Sequence, residues 1–85
     1  MIISKTSAFK KKFQKLSQKI KEKFAERILL FEKDQFDSTL NNHALKGSYS
    51  GYRSINITGD IRAIYKKTND EAIFIAIDSH SNLYG

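Results

Sequence analysis

Eighty-five residues, 40% apolar and 12% aromatic, specify one small folded domain over residues 1–85, since a chain this short buries only roughly 60–65% of the surface it exposes when unfolded. The absence of cysteine excludes disulfides and thiolate metal sites, and two distant histidines without a carboxylate cluster lead us to expect no metal and no cofactor. Neither the N-terminal MIISKTSAFKKK nor the longest apolar runs, ILLF and AIFIAI, has signal-peptide or the ~20-residue membrane-spanning length, so a soluble, cytoplasmic protein with no membrane partner is expected.

The chain opens on IISKT, a weakly alternating stretch that fits a short first strand, with Thr6 and Ser7 able to cap a helix after it. Phe9, Phe13 and Leu16 form one helical stripe. Ile20, Phe24, Ile28 and Phe31 form another, widened by Leu29 and Leu30. The stripes do not join across Ser17-Gln18, which predicts two helices over 7–16 and 18–33, both burying their apolar faces on a sheet. Residues 34–50 are rich in Asp, Asn, Ser and Gly, a long connection of the kind that often carries function.

From Gly51 the period becomes two. YRSINI and IRAIY read as a hairpin around Thr58-Gly59-Asp60. This three-residue turn sets Ile57 opposite Ile61 and Ile55 opposite Ala63, so that Ile55, Ile57, Ile61, Ala63 and Tyr65 make a core face. Asn56 then lies across from Arg62 and Ser54 across from Ile64. A two-residue turn would mix polar and apolar partners, so burial favours the first register. KKTNDE is the next turn, and AIFIAI, apolar on both faces, is a central last strand. The predicted fold is α+β in the order β-α-α-β-β-β, a small, largely antiparallel sheet with two N-terminal helices packed on one face.

The formal charge of +6 is one-sided. Residues 1–35 hold ten Lys/Arg and four Asp/Glu, while residues 36–85 hold five of each. Such a field attracts polyanions in a salt-dependent way, although lysines on a helix also serve simply as solubilisers. The hairpin's polar face, the loop before it and the tail after the last strand hold His43, Lys46, Arg53, Asn56, Asp60, Arg62, Asp78, His80 and Tyr84. RNA transesterification needs a base for the 2′-OH, cationic donors for the phosphorane and an acid for the leaving 5′-oxygen. Histidine suits proton transfer, arginine matches phosphate oxygens, and aromatic rings stack and splay a base. Each residue also has a plainer role: His43 as a loop residue, Asp60 as a turn residue, Arg62 as cover for the sheet, Tyr84 as a packing plug.

The strings HALKGSYSGYRSINITGDIRAIYK and IAIDSHSNLYG, with the helical FKKKFQKLSQKIKEKFAERILLFEKDQFD before them, resemble the RelE superfamily of bacterial toxins, specifically its YafQ-like branch of mRNA interferases. The resemblance covers nearly the whole chain. H-x-L-x-G, G-Y-R, G-D-x-R-x-I-Y and S-H-x-x-L-Y-G follow one another in the family's order. It implies a RelE-like fold and a ribosome-dependent endoribonuclease that cuts mRNA in the ribosomal A site and is neutralised by a cognate antitoxin. The implied partners are therefore the 70S ribosome, mRNA and the antitoxin. By position, His43 matches the loop histidine, Asp60 the acidic residue after the turn, His80 the tail histidine acting as acid or base, and Tyr84 the terminal aromatic. Arg62 matches the strand arginine of RelE-type members. These five form the expected catalytic set, with His80 as general acid and Asp60 or His43 as base.

Lys10, Lys11, Lys12, Lys15, Lys46, Arg53 and Asn56 are the expected RNA- and ribosome-binding residues. The chain departs from the YafQ pattern at Asn56, where that type has histidine, at Ile61, where it has tryptophan, and at Ala76, where it has arginine. Arg62 is the natural substitute for the charge missing at Ala76. Two other functions compete: a ParE-like gyrase-inhibiting toxin of the same fold, for which the histidines, Asp60 and Tyr84 are superfluous, and a non-catalytic basic RNA-binding module, which would want more strand aromatics than Tyr52 and Phe74.

Overall fold

The structure, a computed structural model, describes residues 1–84. In chain order it forms β1 (Ile2–Lys5), α1 (Ser7–Gln14), α2 (Gln18–Lys33), β2 (His43–Ala44), β3 (Arg53–Asn56), β4 (Ile61–Lys67), β5 (Glu71–Ser79) and α3 (His80–Tyr84), with 3-10 turns at Ser38–Leu40 and Gly47–Tyr49. The α+β class and the helix pair are as expected. β2, within the predicted loop, and α3, within the predicted tail, are additions.

Short polar side chains start the two long helices. Thr6 Oγ1 accepts from the Phe9 N–H at 3.2 Å, and Ser17 Oγ accepts from Ile20 N–H at 3.3 Å, each satisfying one of the donors that a helix start leaves unpaired. α2 has its predicted limits. α1 stops two residues early because the N–H groups of Lys15 and Leu16 turn to the carbonyls of Lys12 and Phe13, both at 3.1 Å, tightening the last turn.

The five-stranded sheet has the order β1-β5-β4-β3-β2, with β1 parallel to β5 and the other pairs antiparallel. β5 is an interior strand, as its double apolar face requires. The hairpin register matches the three-residue turn, with Ile55 opposite Ala63 and Asn56 opposite Arg62. The turn is not built on glycine. Gly59 does not take a positive φ; instead the Thr58 hydroxyl accepts from Asp60 N–H at 3.2 Å and Ile61 N–H at 3.0 Å.

α1 and α2 cover one face of the sheet. Phe9, Phe24 and Phe31 of the helices pack with Ile55, Ile57, Ala63, Tyr65, Ala72, Phe74 and Ile77 of the strands. Phe74 is the hub, its ring within 6.0 Å of the rings of Phe9, Phe24, Phe31 and Tyr65, at tilted or edge-on angles that suit ring quadrupoles.

The other face is shaped by one irregularity. Between Ile64 and Tyr65 the ladder to β5 slips: Tyr65 lies opposite Phe74 but Ile64 lies opposite Ala76, leaving Ile75 as an extra residue. Side chains alternate along a strand, so the extra residue reverses which parity faces the helices. Ala72 and Phe74 face them before it and Ile77 after it, while Ala76 and Asp78 join Ile64 and Arg62 on the second face.

Candidate active site

Strand pairing lays the second face out in two rows. The first runs His43, Ser54, Ile64, Ala76 across β2 to β5. The second runs Asn56, Arg62, Asp78 across β3 to β5. Directly paired residues of antiparallel strands project to the same side, so these are neighbours in space. Ser54 and Ile64 are fully buried although Ile64 lies outside the helix-side cluster. The loop 45–52 meets α3 where the Tyr49 ring contacts that of Tyr84. Two side-chain oxygens beneath, Ser54 Oγ and Asn56 Oδ1, are buried with no hydrogen-bond partner among the described residues. Unpaired buried polar atoms are rare in stable cores.

His43 is exposed and oriented. Its Nδ1 lies 2.8 Å from the carbonyl of Asn41, a residue held in the left-handed region at φ 46°. In the neutral ring, a proton on Nδ1 donated to that carbonyl leaves the Nε2 lone pair free. Arg62 folds back over its own hairpin. Its Nη1 donates to the carbonyls of Thr58 at 3.1 Å and Gly59 at 3.0 Å, and the rest of the guanidinium makes no protein hydrogen bond among the described residues.

The tail is anchored at its root. The His80 N–H donates to the Asp60 carbonyl at 2.9 Å, tying α3 to the hairpin tip. Asp78 accepts from Asn82 Nδ2 at 3.0 Å and Ser79 N–H at 2.7 Å, and pairs with Lys12 Nζ at 3.1 Å. The Asn82 amide first, then the Ser79 N–H and the Lys12 ammonium, hold the Asp78 carboxyl below its ordinary pKa. Lys12 reaches this carboxylate because β1 pairs with β5 only as far as Phe74, leaving the later part of β5 as an open edge beside α1. On α3 itself the rings of His80 and Tyr84, one helical turn apart, lie 4.9 Å from each other at 62°.

The expected residues thus divide. His43, Asn56 and Arg62 share the second face; Asp60 sits at the hairpin tip bordering it; His80 and Tyr84 come from α3 at its edge. Lys10, Lys11, Lys15 and Lys46 are exposed. Arg53 does not join them. It pairs with Tyr65 and lies on the helix side, its Nε donating to Asn42 Oδ1 at 2.8 Å and its guanidinium over the Phe36 ring at 5.4 Å. Asn42 in turn donates to the Tyr65 hydroxyl at 2.8 Å and the Gln35 carbonyl at 2.9 Å, so Arg53 helps pin the 34–42 loop. Burial raises the Tyr65 pKa, which keeps this phenol protonated. Lys12 is already engaged with Asp78. The sequence reading passed over Tyr49 and Asn82, whose contacts depend on α3. A groove of about 560 Å3 lined by Phe13, Phe24, Ile28 and Leu29 lies on the helical layer and contains neither histidine. No group of three or more His, Asp or Glu side chains fit to hold a metal ion occurs among the described residues.

Solved structures share this fold. YafQ from Escherichia coli strain BL21(DE3) superposes with a TM-score of 0.79 at 26% identity, covering 98% of this chain and 97% of that one. The YafQ of the E. coli DinJ-YafQ toxin-antitoxin complex gives a TM-score of 0.76 at 27% identity, over 98% of this chain and 96% of that one. A chain of the YoeB-YefM toxin-antitoxin complex of Staphylococcus aureus, at 17% identity over 94% of this chain and 97% of that one, shares the fold with a TM-score of 0.75. No curated protein sequence matches the chain. The sequence model described as "Bacterial toxin of type II toxin-antitoxin system, YafQ" matches residues 1–85, and the chain belongs to that family.

Proposed function

We propose that the protein is a toxin that acts as a ribosome-dependent mRNA endoribonuclease, cutting mRNA in the ribosomal A site and held inactive by a cognate antitoxin. The observation that carries this reading is the convergence of His43, Asn56 and Arg62 on one sheet face, with His80 and Tyr84 hung over its edge. A pure gyrase binder has no use for that convergence. In the reaction, the 2′-oxygen loses its proton to a base and bonds to phosphorus. The P–O5′ bond breaks, the 5′-oxygen takes a proton from an acid, and a 2′,3′-cyclic phosphate remains. His43, with Nδ1 engaged and Nε2 free, suits the base. The Asp60 carbonyl anchors the His80 N–H, so the tail histidine and the hairpin tip are held close together; His80 serves as acid, and Asp60 is the alternative base to His43. The unengaged part of the Arg62 guanidinium suits the phosphorane oxygens, and the Tyr84 ring suits base stacking.

The DinJ-YafQ and YoeB-YefM complexes support an antitoxin as partner. An acidic segment of it would find Lys10, Lys11 and Lys15 exposed on or just beyond α1. No helix of the described residues is long and apolar enough to cross a membrane. The test is primer extension on a reporter mRNA in cell-free translation. Ribosome-dependent cuts appear with the wild type and fall by orders of magnitude with His80→Ala. Undiminished growth arrest by His80→Ala together with DNA breaks rejects the nuclease in favour of gyrase poisoning.

A further inference from the structure

α3 has five residues, too few to hold a helix by itself, since isolated helices shorter than ~12–15 residues are marginal in water. Its hydrogen bonds to the body of the protein, through His80 N–H and the Asp78 cluster, are all at its first turn. At its last turn the aromatic contact to the body is the Tyr84 ring against Tyr49, with centroids 6.2 Å apart and planes at 86°. Tyr84 in turn touches the His80 ring at 4.9 Å, and Tyr49 touches Tyr52 at 6.5 Å. The three tyrosines and His80 therefore form one unbroken series of edge-to-face contacts, rooted at Tyr52 beside β3 and ending at the imidazole.

The root of the series is built to stay in place. Between Gly47 at φ 65° and Gly51 at φ 90°, the chain makes a tight loop in which Ser50 N–H donates to Gly47 O and Tyr52 N–H to Tyr49 O, both at 3.0 Å. Leu45 N–H donates to Tyr52 O at 2.9 Å and closes the loop onto the strand. Positive φ at both glycines lets the backbone reverse twice and present Tyr49 toward α3; a side chain at either would strain it.

We propose that Tyr49 is a positioning residue: its ring holds Tyr84, and through Tyr84 the His80 imidazole, in place at the edge of the second face. Proton transfer demands placement within a fraction of an ångström, and a tail fixed only at its root does not provide it. The effect on cleavage rests on the nuclease reading; the effect on the tail does not.

The two are separated by measuring both. Ring-proton shifts of His80 and Tyr84, and amide relaxation of residues 80–84, are recorded by NMR on the full chain, and reporter-mRNA cleavage is measured on the same proteins. Edge-to-face pairs are worth about 0.5–1.5 kcal/mol, so Tyr49→Ala lowers the cleavage rate about two- to thirteenfold, with mobile amides at 80–84 and His80 and Tyr84 shifts moved toward random-coil values. Tyr49→Phe keeps the ring and restores both. Tyr49→Leu fills the space without an aromatic edge; it behaves as Ala does and replaces it if Ala opens the loop. Unmoved His80 and Tyr84 shifts in both Ala and Leu variants overturn the proposal. So does a Tyr49→Phe variant as slow as Ala with its shifts intact, because the hydroxyl would then be acting on RNA directly. Shifts that move in Tyr49→Ala when the wild type itself cuts no mRNA uphold the contact and reject the nuclease reading.

Discussion

Lys12 shows how one side chain can mislead by its company. In sequence it is the third of three lysines on a basic helix, all equal candidates for ribosomal RNA. In the fold it alone pairs with Asp78, at the base of the tail that carries His80. Lys12→Ala is therefore expected to loosen residues 78–84, seen as faster amide exchange there, whereas Lys10→Ala and Lys11→Ala leave that exchange unchanged. Asp78 adds a pH dependence. Its pKa is lowered on folding, so the stability it contributes is full above its unfolded value, about 4, and is lost as pH falls through the lower folded value. Thermal melts of Asp78→Asn should accordingly lack part of the acid destabilisation seen in the wild type below about pH 4. Arg53 teaches a related lesson. Parity in the hairpin register already sends it to the same face as Tyr65, so its separation from Asn56 and Arg62 was readable. What could not be read was its partner Asn42, 11 residues earlier in a stretch without periodicity.

Among the elements, those with a strong period were legible. α2 follows its apolar stripe from end to end, and the β3–β4 hairpin follows the one register that separates polar from apolar. β2 and α3 were not legible. A two-residue strand shows no period, and a five-residue helix offers little more than one turn of pattern; both exist because the rest of the fold receives them. Strand β5 is held chiefly by Phe74, on which rings from both helices and β4 converge. Phe74→Ala is expected to cost about 3–5 kcal/mol, read from the denaturant midpoint at unchanged slope. The hairpin tip, in contrast, relies on a hydroxyl. Thr58→Ala removes the acceptor for two turn N–H groups and should destabilise by about 1 kcal/mol, while Gly59→Ala, at a position of negative φ with open space around it, should be near neutral.

At the scale of the whole molecule, charge and chemistry occupy different parts of one small body. The cationic excess lies on the N-terminal strand and helices, and the polar rows lie on the sheet face those helices leave uncovered. Substituting alanine at Lys10, Lys11 and Lys15 is thus expected to weaken ribosome binding and flatten its salt dependence by up to about one log–log unit for each phosphate no longer neutralised, while the His80 ring shifts stay in place. An unchanged slope would assign those lysines to solubility alone. The one-sided charge was plain in the sequence. The helices' closeness to the tail was not, because it depends on the parallel pairing of β1 with β5, which carries α1 alongside the end of the last strand.

The extra residue in β5 carries a further consequence. Up to Phe74 the strand is read in one frame and from Ala76 in the other, with Ile75 as the spacer between frames. Deleting Ile75 alone would restore a regular ladder and keep every later residue in phase: Ile77 would still face the helices, and Asp78 would still lie opposite Arg62 on the second face. What the deletion removes is the bulge, and with it the local bend and added twist that aim the end of β5. The core is thereby indifferent to the extra residue, whereas the direction in which the strand delivers Asp78 and the tail beyond it depends on it.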